Sequence, residues 1–191
     1  MPAPEQPPTA PPALETRRLA LRALSAQDLP SVHPIFDDPA VRRHLFDDAS
    51  VSLETARSLL GGSEKDFARG GVGLFGIRRR GSAALIGFCG FFVVEGVGEP
   101  ELTYGLLSAW WGRGLATEAA RAVTRYALER AGFRRVLVAA DEANVPSMRV
   151  IQRLGARPLG TISPALPGVA YFEIGRRTEE RRQRQDGKEK R

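Results

Sequence analysis

Hydrophobic positions along this chain fall into stretches of period two and stretches of helical period, and the switches between them outline the elements. In Leu14–Arg22, Leu19 and Leu21 alternate with polar or small residues, the pattern of a half-buried strand. Ser25-Ala26-Gln27-Asp28 reads as a helix start, with Ser25 as N-cap and Asp28 completing an acidic capping box. That helix is expected to end near Asp37-Asp38-Pro39, and a second helix is expected from Leu53 to Ala68, ahead of Gly70-Gly71. Three closely spaced strands follow: Gly73–Arg78, Leu85–Val93 and Glu101–Leu107. The second is apolar throughout, as expected of a strand covered on both faces. Gly-rich turns between them predict an antiparallel meander.

A long amphipathic helix is predicted from the Gly112 loop to about Ala131. Leu115, Ala119, Ala122, Val123 and Tyr126 lie on one face, and Glu118, Arg121, Arg125 and Glu129 point outward. Val136–Ala140 reads as a buried strand, Asn144–Leu154 as a short helix stopped by Gly155, and Leu159–Thr161 and Ala170–Gly175 as two closing strands. The order β-α-α-β-β-β-α-β-α-β-β makes an α/β (α+β) domain with about seven strands and four helices, without internal repeat.

Composition narrows the setting. One domain suits 191 residues, and 42% hydrophobic with 26% charged residues is ordinary for a globular protein. Residues 1–13 hold six prolines and no apolar h-region, so they read as a disordered leader, not a signal peptide. The domain is taken as 14–177 and the basic polar end, 178–191, as a solvated tail. No apolar run approaches the ~20 residues that cross a bilayer. A single cysteine, Cys89, allows no internal disulfide and fits the cytoplasm. His33 and His44 give no zinc spacing, so no metal is expected. The net charge of +6 sits mostly at the C-terminus, where residues 176–191 carry eight basic against four acidic side chains. No nucleic-acid reader motif accompanies it, so specific nucleic-acid binding is not expected.

Candidate chemistry centres on Trp110-Trp111-Gly112-Arg113-Gly114-Leu115-Ala116-Thr117. Glycines between a strand and a helix let a phosphate approach the backbone. Successive N–H groups then form an anion nest, reinforced by the helix N-terminus. Two glycines alone equally describe a tight turn. A Rossmann fingerprint is disfavoured because Thr117 stands at the third glycine position and a meander precedes the loop. A Walker loop is excluded, since no Gly-Lys-Ser/Thr follows.

The ordered set Thr16–Arg22, Glu101–Leu106, Trp111–Ala119 and Asn144–Gly155 resembles the GNAT acyltransferase core, in particular its RimJ/RimL-like branch, over about Leu14 to Arg177. Trp111 matches the tryptophan that this branch carries at the head of the loop. The resemblance implies a mixed, mostly antiparallel twisted sheet splayed between the fourth and fifth strands, with acetyl-CoA threaded into the splay. It implies pantetheine contacts from the backbone of Leu106 and Leu107 and pyrophosphate contacts from Trp111, Gly112, Arg113, Gly114, Leu115, Ala116 and Thr117. Asn144 and Ser147 are implied as further cofactor contacts; a plain helix N-cap is the other reading of Asn144. The implied reaction is direct attack of a primary amine, on a protein N-terminus or a small molecule, with both substrates bound.

For that reaction Glu101 is the candidate base, with Glu99 next. The position where many relatives carry an acidic tyrosine is Ile151, so Ser147 is the candidate acid, with Tyr104 and Tyr171 as other hydroxyls in reach. Ile151 also keeps open a non-catalytic acyl-CoA-binding or regulatory module. Cys89 reads as core. Asp37, Asp38, Asp47 and Asp48 would suit a cationic acceptor or be ordinary loop aspartates. A homodimer is compatible with all of this.

Overall fold

The computed structural model describes residues 13–93, 99–160 and 168–176. The leader, apart from Ala13, and the basic tail lie outside them. The strand expected over Leu14–Arg22 is two strands, β1 (Ala13–Glu15) and β2 (Leu19–Ala23), paired antiparallel with Leu14 opposite Leu21. Thr16 makes the reversal: its N–H donates to the Leu19 carbonyl at 2.9 Å and its hydroxyl accepts from the Leu19 N–H at 2.9 Å.

The capping box forms as expected, the Asp28 carboxylate accepting from the Ser25 N–H at 3.0 Å. One 3-10 turn, Ala26–Asp28, leads into α1 (Leu29–Phe36). Asp38-Pro39 does more than follow the end of that helix. Asp38 accepts from the Ala40 N–H at 2.9 Å and Pro39 takes the first helical position of α2 (Pro39–Leu45), an element the sequence reading omits. Next comes α3 (Leu53–Gly70), capped by Ser52 and closed by Gly71 at φ +71°.

The meander is β3 (Leu74–Arg79), β4 (Leu85–Val93) and β5 (Pro100–Leu106), antiparallel throughout. The remainder is α4 (Leu115–Glu129), β6 (Arg135–Asp141), α5 (Val145–Leu154), β7 (Arg157–Gly160) and β8 (Val169–Gly175). Among the described residues there are thus eight strands and five helices, in one sheet ordered β1-β2-β3-β4-β5-β6-β8-β7.

The sheet separates two cores. One holds α4 and α5 against Leu21, Cys89, Phe91, Leu102 and Leu106; the other holds α1, α2 and α3 against Leu24, Leu74 and Phe88. Cys89 is a buried core thiol, as expected, and burial pushes its pKa up. The predicted apolar face of α4 is buried. Glu118 is not outward as expected; its carboxylate is turned back onto Arg18.

The β5–α4–β6 crossover makes the only parallel pair among the described strands, and its strands touch at two positions, Glu101 with Leu137 and Leu102 with Val138. Beyond Leu102 they part. The expected splay is therefore present between β5 and β6, the fourth and fifth strands if β1 and β2 are counted as one.

Candidate functional site

Antiparallel pairing dictates which backbone groups line that gap. Residues of β5 alternate between bonding β4 and turning the other way. The Leu107 N–H donates to the Ile86 carbonyl at 3.0 Å, which sets the phase. Gly105 and Thr103 accordingly bond β4, while Leu102, Tyr104 and Leu106 turn their N–H and C=O groups toward β6. Leu102 finds β6; Tyr104 and Leu106 face the gap. Leu107 differs from its expected role, because its carbonyl is also taken, by the Trp110 N–H at 2.9 Å.

Side chains of β5 sort by face in the same way. Glu101 lies opposite Phe92 and Gly105 opposite Phe88, on the face covered by α1 and α2. Tyr104 lies opposite Cys89 on the face covered by α4 and α5. A carboxylate and a phenol thus stand on opposite faces of one strand edge, and the gap connects them. Among the described residues the Glu101 carboxylate has no hydrogen-bond or ion-pair partner, and burial raises its pKa above the ordinary glutamate value. Glu99, the other candidate base, is bound to Arg135 at 2.6 Å, and Arg135 also holds Glu173 at 2.9 Å. That pairing engages one oxygen of Glu99, and Glu99 does not line the cavity that Glu101 lines.

The Tyr104 hydroxyl is 2.7 Å from the Ser147 hydroxyl. Burial, opposed by this hydrogen bond, pushes the Tyr104 pKa up to about 12, so the phenol keeps its proton at neutral pH. Ser147 sits in the first turn of α5, where Asn144 accepts from its N–H at 3.2 Å. The N-cap reading of Asn144 is correct as far as local structure goes. Ile151, one turn further on, is fully buried core.

At the end of β5 the Gly112 loop opens α4. Gly112 and Gly114 both lie at φ +71°, where side chains are costly and glycine is not. Gly114 is the N-cap of α4 and supplies no side-chain cap, leaving the first N–H groups of the helix unsatisfied. Thr117, in that first turn, is 5% exposed, and its hydroxyl has no partner among the described residues. Open N–H donors, a helix N-terminus and a buried free hydroxyl are the groups with which a backbone turn can hold an anion.

Two tryptophans hold the loop in place. The Trp111 indole N–H donates to the Leu106 carbonyl at 2.7 Å, tying the loop to the edge of the gap. Arg113 does not turn into the site; its guanidinium lies 5.1 Å from the centre of the Trp110 ring.

One cavity of about 670 Å³ collects these residues. Its wall includes Glu101, Tyr104, Leu106, Trp111, Gly112, Gly114, Leu115, Ala116, Thr117, Asn144 and Ser147. Of the expected site residues, Leu107 and Arg113 do not line it. Sequence reading passed over Arg149 and Arg153 on α5, and Phe36 and Val41 around α2, all of which do, as do His44, Leu45 and Phe46. The arginines at i and i+4 form a basic stripe on α5; Val41 and Leu45 belong to α2, the helix that was not foreseen, while the aromatic rings come from α1, the α2 C-cap and β4.

Support for the loop comes from far off in sequence. Glu118 accepts from the Arg18 N–H at 2.9 Å, the Arg18 Nε at 2.6 Å and the Thr16 hydroxyl at 2.6 Å, while Arg18 also donates to the Arg113 carbonyl at 3.0 Å. Burial pushes the Glu118 pKa up, but the hydrogen bonds from Thr16 and Arg18 and the Arg18 charge together bring it below the ordinary value of 4.5. A carboxyl depressed by folding stabilises fully above its unfolded pKa and loses that contribution as pH falls through the folded one. Glu118→Gln is expected to cost about 1–2 kcal/mol at neutral pH. Thermal unfolding followed down through the acid range checks this, because the two proteins should converge below the ordinary carboxyl range.

The chain as a whole has known counterparts. The family model for the acetyltransferase (GNAT) domain matches residues 18–157. The uncharacterized N-acetyltransferase p20 of Bacillus licheniformis is 25% identical over 150 residues, covering 78% of this chain and 84% of p20. An acetyltransferase structure from Agrobacterium tumefaciens str. C58 superposes with a TM-score of 0.77 at 23% identity, over 90% of this chain and 99% of that one. RimL, a ribosomal L7/L12 alpha-N-protein acetyltransferase solved with coenzyme A, superposes with a TM-score of 0.73 at 19% identity, over 86% of this chain and 98% of RimL.

Proposed function

This chain belongs to the GNAT acetyltransferase family, and from that membership we propose that it moves an acetyl group from acetyl-CoA to a primary amine by direct attack with both substrates bound. The observation that carries the reading is the gap between β5 and β6. It has open backbone groups along one edge, an anion site at its end, and a free carboxylate and a phenol on its two faces.

The donor substrate suits the residues present. Its pyrophosphate would be held by the N–H groups of Gly112 to Thr117 and by the Thr117 hydroxyl, and its pantetheine amides by the free N–H and C=O groups of Tyr104 and the N–H of Leu106. Trp111, with its indole on the Leu106 carbonyl, acts by fixing the distance between those two grips. Glu101 then accepts the proton lost by the attacking amine, directly or through water. Tyr104 donates its proton to the departing thiolate, and its bond to Ser147 orients the phenol. The acid role, expected from Ser147, thus passes to the tyrosine that Ser147 positions, in place of a tyrosine on α5. A cytoplasmic setting and a protein N-terminal or small-molecule acceptor belong to the same proposal. Among the described residues no helix is long and apolar enough to cross a membrane.

The test is thiol release from acetyl-CoA over a panel of amines and N-terminal peptides, with mass detection of the acetylated product. Tight acetyl-CoA binding without turnover on any amine would return the protein to a purely acyl-CoA-binding role. Within that assay Tyr104→Phe is expected to lower kcat by about ten- to a hundredfold and leave the KM for acetyl-CoA nearly unchanged. Equal losses in both parameters would instead mark Tyr104 as a packing residue.

A further inference from the structure

The acceptor half of the cavity has a chemistry of its own, and we infer that it selects a monocationic primary amine carried on a compact apolar group. The inference rests on the acetyltransferase reading and adds the class of acceptor to it. On the α1–α2 side the wall includes Phe36, Val41, Leu45, Phe46, Phe88 and Phe92, with the His44 imidazole of α2 as a polar member among them. Phe36 and Phe88 are fully buried and meet edge to face with ring centres 4.8 Å apart, so this wall is rigid packing and not a loose surface.

Charge is scarce there. Of the described residues lining the whole cavity, only Glu101 and Asp141 carry carboxylates, and Asp141 is the last residue of β6, four positions beyond the Leu137 that pairs with Glu101. The four aspartates that would make a polycation site are elsewhere or engaged. Asp37 accepts from the Ser50 hydroxyl and the Val51 N–H, both at 2.9 Å, and its pKa is lowered by those bonds. Asp38 caps α2, and Asp48 faces Arg42 at 3.7 Å. None of the four, Asp47 included, lines the cavity. Beside this wall one carboxylate, Glu101, serves one ammonium group; a second ammonium on the same compact acceptor would face the aromatic rings with no further carboxylate of the described residues on that side, at a desolvation cost. The apolar wall rewards a hydrocarbon body in the same place.

Parallel measurements with the full chain decide it. Acetyl-CoA affinity is measured by calorimetry, and kcat/KM is measured for 2-phenylethylamine and isopentylamine against putrescine, spermidine and kanamycin. A peptide with an N-terminal phenylalanine is run against one with an N-terminal serine. The monoamines should exceed the polyamines by about tenfold or more. Preference for the Phe peptide with weak small-amine turnover would mean that the same apolar amine arrives on a protein end. Leu45→Asp, on an exposed position of the wall, should shift the isopentylamine-to-putrescine ratio toward putrescine by about tenfold, with acetyl-CoA affinity retained as the check on folding. Polyamines as the best acceptors, or a ratio unmoved by Leu45→Asp, would overturn the acceptor inference alone. Failure to bind acetyl-CoA would overturn the acetyltransfer reading beneath it.

Discussion

Gly112→Glu is expected to weaken acetyl-CoA binding by at least about a hundredfold while the protein still folds. Two unit charges ~4 Å apart at an effective dielectric of ~20 repel by about 4 kcal/mol, and each 1.4 kcal/mol is tenfold in affinity. A carboxylate at Gly112 faces a pyrophosphate with more than one such charge, so a hundredfold is the lower end. Nothing lies within 4 Å of a Cβ built at this position, so no clash accompanies the change. Backbone strain does accompany it, because φ is +71°. That strain, about 1–2 kcal/mol, is reproduced by Gly112→Ala. Calorimetric titration of both variants separates the effects: the alanine protein should keep most of its affinity and the glutamate protein should lose it. Equal affinities would mean the donor phosphates lie elsewhere.

The second large effect is on rate. Glu101→Gln is expected to lower kcat by about 10²- to 10⁴-fold with little change in the KM for acetyl-CoA, since the carboxylate stands on the acceptor face of β5. The pH profile carries the sharper signature. A base works only when deprotonated, so the rate should climb with pH through the Glu101 pKa. Burial raises that pKa, placing the acidic limb above the ordinary glutamate value of 4.5. In the glutamine variant the limb should vanish from what activity remains. Stability should move the other way: a carboxyl whose pKa is raised by folding favours the fold most when protonated, so glutamine should be neutral or stabilising at neutral pH. A profile with the same limb in both proteins would assign the proton transfer to another group.

Local rules of the chain were readable where they were self-contained. The Ser25–Asp28 box, the Gly71 and Gly155 stops, the meander and the buried face of α4 all follow from residues within one turn or one strand. Misreadings arose where one local signal has two uses. Asp38-Pro39 ends helices and also begins them, as N-cap and first helical residue, and here the second use supplies α2 and with it Val41 and Leu45 of the cavity wall. Thr16 looks like one more polar position in an alternating strand, yet its own hydroxyl bonds the backbone and splits that strand in two. Most of the candidate residues named from the loop and its neighbours line one cavity, but their connections were not legible. That Leu107 is committed to Ile86, that Trp111 reaches Leu106, and that Tyr104 meets Ser147 across 43 positions are consequences of sheet phase and crossover, which no spacing along the chain encodes.

The clasp between Arg18 and Glu118 joins positions 100 residues apart. A ribosome releasing this chain has therefore delivered the first strand pair long before the carboxylate that secures it. Until the helix after the glycine loop emerges and packs, the loop has no brace on the Arg113 carbonyl and the opening strands have no partner for Thr16 and Arg18. The brace on the glycine loop is thus available only once residue 118 has been made and packed, so loop geometry depends on a contact formed late relative to its first partner.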